Sequence, residues 1–163
     1  MLLRNATTAD YDEMEAIARS VWHESYDDII GKNQVEYMLA LYQCKQAFER
    51  QTAAENYEYF IFEENGKAVG YIGLVNEDGE RLFLSKLYLL PSARGKGYGK
   101  TGLDFALERA KALSKKSVYL TVNKQNSRAI AVYEKCGFTK VDSVVTDIGN
   151  GFVMDDFVFE KSV

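Results

Sequence analysis

Hydrophobic residues recur along this chain with two different periods, and the changes of period mark out its elements. Leu2 to Asn5 reads as a short strand. Capping-type residues then precede Met14, Ile17, Ala18 and Val21 at helical spacing, which predicts an amphipathic helix from Thr8 to Val21. More helix is expected from Gln34 to Ala54. The pattern turns to aromatic and β-branched runs at Tyr57 to Phe62 and Ala68 to Val75, separated by the tight-turn signal Glu64-Asn65-Gly66-Lys67. That combination predicts a hairpin. A second turn, Asn76-Glu77-Asp78-Gly79, leads into Arg81 to Leu89, a third consecutive strand of an antiparallel meander closed by Pro91.

From Tyr98 the period is helical again, with Leu103, Ala106, Leu107, Ala110 and Leu113 on one stripe and Asp104, Glu108 and Lys111 opposite. Val118 to Val122 reads as a strand, and Ser127 to Cys136 as a short helix stopped by Gly137. Two further strands are expected around Phe138 to Val145 and Phe152 to Phe159. The order β, helices, βββ, α, β, α, ββ defines a mixed α/β or α+β fold. With one proline, no repeat and no low-complexity tract, residues 1–163 are read as one domain.

Composition narrows the function. A chain of 163 residues, 47% hydrophobic, buries one core. Its 20 basic and 24 acidic residues give a net charge of -4, which argues against nucleic acid as a partner. Cys44 and Cys136 lie far apart and there is one histidine, so neither a zinc module nor a dithiol redox site is expected, and no metal. The amino terminus lacks signal-peptide features and no apolar run approaches the ~20 residues of a membrane span, so a cytoplasmic location without a membrane partner is expected.

The candidate chemistry sits in Leu87-Tyr88-Leu89-Leu90-Pro91-Ser92-Ala93-Arg94-Gly95-Lys96-Gly97-Tyr98-Gly99-Lys100-Thr101, a strand, a glycine-rich turn and a helix start. Bare glycines let backbone N–H groups converge on an anion, the helix N-terminus adds partial positive charge, and Arg94, Lys96 and Lys100 supply full charges. The physical reading is a phosphate-bearing ligand. A Walker pattern ending at Gly99-Lys100-Thr101 needs glycine where Arg94 stands. A dinucleotide pattern is met by Gly97, Gly99 and Gly102, but those glycines do not follow the strand directly, and Asn123 closes the next strand where a ribose-binding acid is required.

A third pattern, [RQ]-x-x-G-x-[GA], is met by Arg94, Gly97 and Gly99, and with it the chain resembles the GNAT superfamily of N-acetyltransferases. The segment Asn126-Ser127-Arg128-Ala129-Ile130-Ala131-Val132-Tyr133-Glu134-Lys135-Cys136-Gly137-Phe138 is similar to that superfamily's N-x-x-A-x-x-x-Y-x-K-x-G-F signature. Taken alone, Asn126 or Ser127 could be a helix cap and Tyr133 a core residue. Seven helical residues are nearly two turns, however, which puts Asn126 and Tyr133 on one face roughly 10 Å apart, able to line an extended ligand. The resemblance covers most of the chain and is weakest between Trp22 and Asn56.

The resemblance implies a mostly antiparallel sheet splayed between strands four and five, flanked by helices, with acetyl-CoA as co-substrate between the splayed strands. It implies that Leu87, Tyr88 and Leu89 meet the pantetheine arm. Arg94, Gly95, Lys96, Gly97, Tyr98, Gly99 and Lys100 would hold the pyrophosphate, and Asn126, Tyr133 and Lys135 would contact the cofactor from the other side. The implied reaction is direct attack of a neutral primary amine, on a small molecule or a peptide, with the N–H of Leu89 as oxyanion donor and Tyr133 as general acid. The phenol's ordinary pKa near 10 suits protonation of a thiolate. Some polyamine acetyltransferases carry Glu-Asp where this chain has Ser85-Lys86, which weakens a polyamine acceptor. For the base, Glu24 and His23 are candidates, with Trp22 and Tyr26 as substrate contacts; His23 reads more simply as a surface residue. Related domains often pair, which leaves a homodimer open. The competing readings are a non-catalytic CoA-binding module and a nucleotide-binding protein using Gly99-Lys100-Thr101.

Overall fold

The computed structural model describes all 163 residues. In chain order its elements are β1 (Leu2–Asn5), α1 (Tyr11–Ile30), α2 (Lys32–Tyr42), α3 (Lys45–Ala54), β2 (Tyr57–Glu64), β3 (Lys67–Val75), β4 (Arg81–Leu89), α4 (Tyr98–Ala112), β5 (Ser117–Asn123), α5 (Ser127–Lys135), β6 (Thr139–Gly149) and β7 (Phe152–Ser162). The mixed fold expected from the sequence is present.

The largest departure is α1, which begins after a short 3-10 turn and continues past Val21 to Ile30. Polar residues interrupt the apolar pattern there, yet Trp22, Tyr26 and Ile30 keep an i, i+4, i+8 stripe against the sheet. The helix expected from Gln34 to Ala54 is two helices broken at Gln43-Cys44. The break is supported from a distance: Glu15 of α1 accepts from the N–H of Lys45 at 3.0 Å, capping α3 with a side chain 30 residues away.

The seven strands order as β1-β2-β3-β4-β5-β7-β6. Every neighbouring pair is antiparallel except β4–β5. Strand alternation divides the core between the two faces. Phe62, Ile72 and Leu120 pack with Leu103 and Ala106 of α4, whereas Ile61 and Tyr71 pack with Met14 of α1, Val35 of α2 and Phe48 of α3. A methyl group at Gly102 would lie 2.8 Å from the Phe62 ring and 3.1 Å from Leu87, so α4 reaches the sheet only because this helical position is bare.

The site originates in the parallel pair. β4 and β5 are paired only at Arg81, Leu82 and Phe83, opposite Ser117, Val118 and Tyr119. Just beyond, the β3–β4 register slips: Leu74 faces Leu84 and Gly73 faces Lys86, leaving Ser85 as an extra residue. Such a bulge bends its strand and changes which face each later side chain meets. Leu82 and Leu84 join the α4 core, whereas Lys86 turns to α2 and α3. The rest of β4 therefore diverges from β5 and leaves a wedge between them.

Gly102→Leu keeps a good helix former but overfills this contact. It is expected to destabilise the fold by about 1–3 kcal/mol in chemical denaturation; unchanged stability would show that α4 does not sit against Phe62.

Candidate active site

The wedge opens into a cavity of about 990 Å³ running from the β4–α4 loop to a chamber under α1 and α2. Its β4 wall presents free backbone. Leu90 donates to the Val69 carbonyl at 2.9 Å, and Gly70 faces Leu89 across the ladder. Antiparallel alternation then turns the N–H groups of Leu87 and Leu89 away from β3, toward the side vacated by β5. The Leu89 carbonyl on that side accepts from Arg94 Nε at 3.2 Å.

At the loop end, Gly97 adopts the left-handed conformation (φ 83°) and starts α4 without a side-chain cap. The first helical bond runs from the Thr101 N–H to the Gly97 carbonyl, so the N–H groups of Tyr98, Gly99 and Lys100 have no helical acceptor. That is the donor array an anion requires. Arg94, Gly95, Gly97, Tyr98, Gly99 and Lys100 all line the cavity. Lys96 does not: its ammonium reaches Glu64 of β2 at 3.1 Å, where the Tyr98 hydroxyl also donates at 2.6 Å.

Glu24, the candidate base, sits beside this loop. It lies outside the cavity lining and accepts from Arg94 at 2.7 Å, with Arg128 at 3.9 Å. The hydrogen bond from Arg94 holds its carboxyl below the usual carboxylate range. His23 is held at the surface between Asp27 and Glu36, each 2.7 Å away. Cys44 and Cys136 are half-buried, and Cys136 packs against the α4 core while lining the cavity.

On the opposite wall, Asn126 is the N-cap of α5: its Oδ1 accepts from Ala129 at 3.2 Å, and its Nδ2 donates to the Tyr26 hydroxyl at 2.9 Å. This bond joins α1 to α5 across the wedge. Asn126, Tyr133 and Lys135 line the cavity together with Trp22 and Tyr26, whose rings lie 4.7 Å apart. The Tyr133 ring rests near Phe138 and Phe159, at 6.3 and 6.4 Å. Burial pushes its phenol well above the ordinary value near 10, so it stays protonated.

Two ionisable groups escaped the sequence reading. Lys86, 3% exposed, donates to the Tyr42 carbonyl at 2.6 Å, to Gln51 at 3.1 Å and to the Tyr59 hydroxyl at 2.6 Å. All three acceptors are neutral, and burial drives its pKa well down. Asp156 on β7, 6% exposed, lines the cavity, and burial raises its carboxyl to about 6. The signal for it was parity: Met154, Asp156 and Val158 share one face, while Asp155 points out to Lys124 at 2.6 Å.

Comparison with known proteins agrees with this architecture. The acetyltransferase (GNAT) family model matches residues 15–138. An uncharacterised N-acetyltransferase of Escherichia coli, YjgM, is 36% identical over 87 residues, about half of each chain (52% and 52%). One from Mycobacterium bovis, Mb2688, is 27% identical over 129 residues, covering 79% of this chain and 83% of its own. The crystal structure of the PaiA N-acetyltransferase of Thermoplasma acidophilum in complex with coenzyme A superposes with a TM-score of 0.84 at 25% identity, over 99% of this chain and 98% of that one. The chain belongs to the GNAT acetyltransferase family, a class of acetyl-CoA-dependent N-acetyltransferases.

Two outcomes are expected. Because folding raises the Asp156 pKa, its ionisation destabilises the native state progressively from about pH 4 to pH 6 and fully above that. Asp156→Asn should therefore melt higher than the parent at pH 8 and no higher at pH 4; equal melting temperatures at pH 8 would show the carboxylate is not desolvated. Glu24→Gln removes a negative charge from Arg94, so calorimetry should find coenzyme A binding tightened or unchanged, with turnover kept. A collapse in turnover alone would identify Glu24 as the base.

Proposed function

We propose that this cleft binds acetyl-CoA along the free edge of β4 and transfers its acetyl group directly to a primary amine, on a small molecule or a peptide. The observation that carries this reading is the continuity of the cavity. It joins an uncapped, cation-flanked helix N-terminus to a strand edge with free N–H groups and then to a chamber holding a buried carboxylate. The residues fit the ligand: the α4 N–H groups with Arg94 and Lys100 suit a diphosphate, and Leu87 and Leu89 offer the backbone pairing an amide-bearing pantetheine arm requires.

Bound acetyl-CoA supplies an acyl group activated as a thioester. The chain's own groups do the rest. The Leu89 N–H faces the developing oxyanion, a fixed dipole that costs no reorganisation. Tyr133, kept protonated by its apolar surroundings, gives its proton to the departing sulfur. Lys135 and Arg128 add positive charge on the α5 side. Asn126 acts by position, fixing Tyr26 and the start of α5 against α1.

Thiol release from acetyl-CoA with a panel of amines tests this reading. Tyr133→Phe should lower kcat by roughly 10²–10⁴-fold while leaving coenzyme A binding intact. Arg94→Ala should weaken that binding by about tenfold, on the order of 1.4 kcal/mol. Unchanged turnover in Tyr133→Phe would remove the acid assignment and return weight to a binding module.

A further inference from the structure

The cavity is strongly asymmetric in charge. Arg94 and Lys100 face it from the loop and α4, and Arg128 and Lys135 from α5, whereas Asp156 is the only carboxylate among the 40 residues that line it. Asp156 is also unpartnered. No group of the protein hydrogen-bonds its carboxylate, and the cation whose field reaches it, Lys124, is committed to Asp155. Its backbone, by contrast, is fixed on both sides, opposite Asn123 of β5 and Val144 of β6. A desolvated carboxylate held rigidly without a partner costs stability, and a cationic ligand removes that cost. The chamber around it is apolar and aromatic, with Trp22, Tyr26, Met38, Tyr88 and Met154 in its walls. Of the other polar side chains there, Gln34 donates to the Val153 carbonyl at 2.7 Å and Gln43 joins the Tyr71 and Tyr88 hydroxyls, whereas the buried Trp22 Nε1–H, like the Asp156 carboxylate, has no protein partner.

We propose that Asp156 binds the ammonium group of the acceptor and removes its proton, and that the acceptor is a monoamine carried on an apolar or aromatic body. This rests on the transfer reading above. A second ammonium, as in a polyamine, would find no second carboxylate in the chamber. The proton balance closes as follows. One ammonium proton passes to Asp156, and the neutral nitrogen attacks the thioester carbon, forming C–N. The C–S bond breaks with its electron pair on sulfur, which takes the Tyr133 proton. The second nitrogen proton returns to the Tyr133 oxygen, and Asp156 releases its proton to water, so one proton is lost per turnover. The low polarity that disfavours a carboxylate also disfavours an ammonium, which narrows the gap between the two groups. The charged and titratable groups around Asp156 are Asp155 beside it, Lys124 after β5 and the Tyr26 phenol of α1.

The test follows thiol release with acetyl-CoA and either phenethylamine or spermidine, from pH 5 to 9, for the parent, Asp156→Asn and Asp156→Glu. Coenzyme A binding is measured alongside by calorimetry. Phenethylamine should be the better acceptor. Asp156→Asn should lose roughly 10²–10⁴-fold in kcat/KM and the ascending limb of the pH profile near 6, with coenzyme A binding unchanged and partial rescue in Asp156→Glu. Parental rates and pH profile in Asp156→Asn would overturn the base, and faster turnover of spermidine would overturn the acceptor class. If the parent binds coenzyme A but acetylates neither amine, the transfer reading fails instead. Phenethylamine binding then decides this proposal: binding lost in Asp156→Asn and retained in Asp156→Glu upholds the ammonium site, and equal binding in all three overturns it.

Discussion

From Leu84 onward the fourth strand keeps its ladder to β3 and has none to β5. A sheet edge inside a folded protein is normally costly, because unpaired backbone groups lose water without gaining a partner. Here the edge is stabilised on every other side, by the β3 ladder, by α4 packed close over Gly102, and by the bulge at Ser85 that sets the angle of departure. The wedge and the binding surface it creates follow from that one divergence. Close the sheet, and neither the free N–H groups of Leu87 and Leu89 nor the chamber beneath α1 would exist.

The two ends of the wedge carry opposite electrostatic preferences. The loop end gathers cations on an uncapped helix start, and several of them rest on acidic neighbours: Arg94 on Glu24, Lys100 on Asp104. These exposed or half-exposed pairs are weak and exchangeable, which suits groups that must accept another anion. The chamber end holds a single desolvated carboxylate among aromatic rings. Bringing a negatively charged ligand to one end and a positively charged one to the other orders a ternary complex without moving parts. Tyr26 and Asn126 tie α1 to α5 and keep the walls in register.

How far this was legible in the sequence depended on whether each signal was local. The glycine turn and the Asn126–Tyr133 segment carry their chemistry in contiguous residues, and the structure brings both to one cavity. The meander and the stripe of α4 were visible as changes of period. What failed was long-range. Glu15 caps α3 from another helix, and Trp22, Tyr26 and Ile30 extend α1 only because a sheet lies beneath them. Lys86 shares parity with Leu82 and Leu84 in the sequence, and only the bulge turns it to the other face. Nothing local showed that Lys96 would rest on Glu64 of β2, or Glu24 on Arg94 70 residues away. Asp156 sat within an ordinary Asp-Asp pair, where strand parity marks the inner member but only what packs over it shows the burial.

The central claim is direct transfer within a ternary complex. A single-turnover reaction with protein in excess over acetyl-CoA, quenched over time and read by mass spectrometry for both amide product and protein, tests it most directly. The account predicts amide appearing together with free thiol and no acetylated protein on the way. An acetyl-protein species that forms before the amide and decays into it would contradict it.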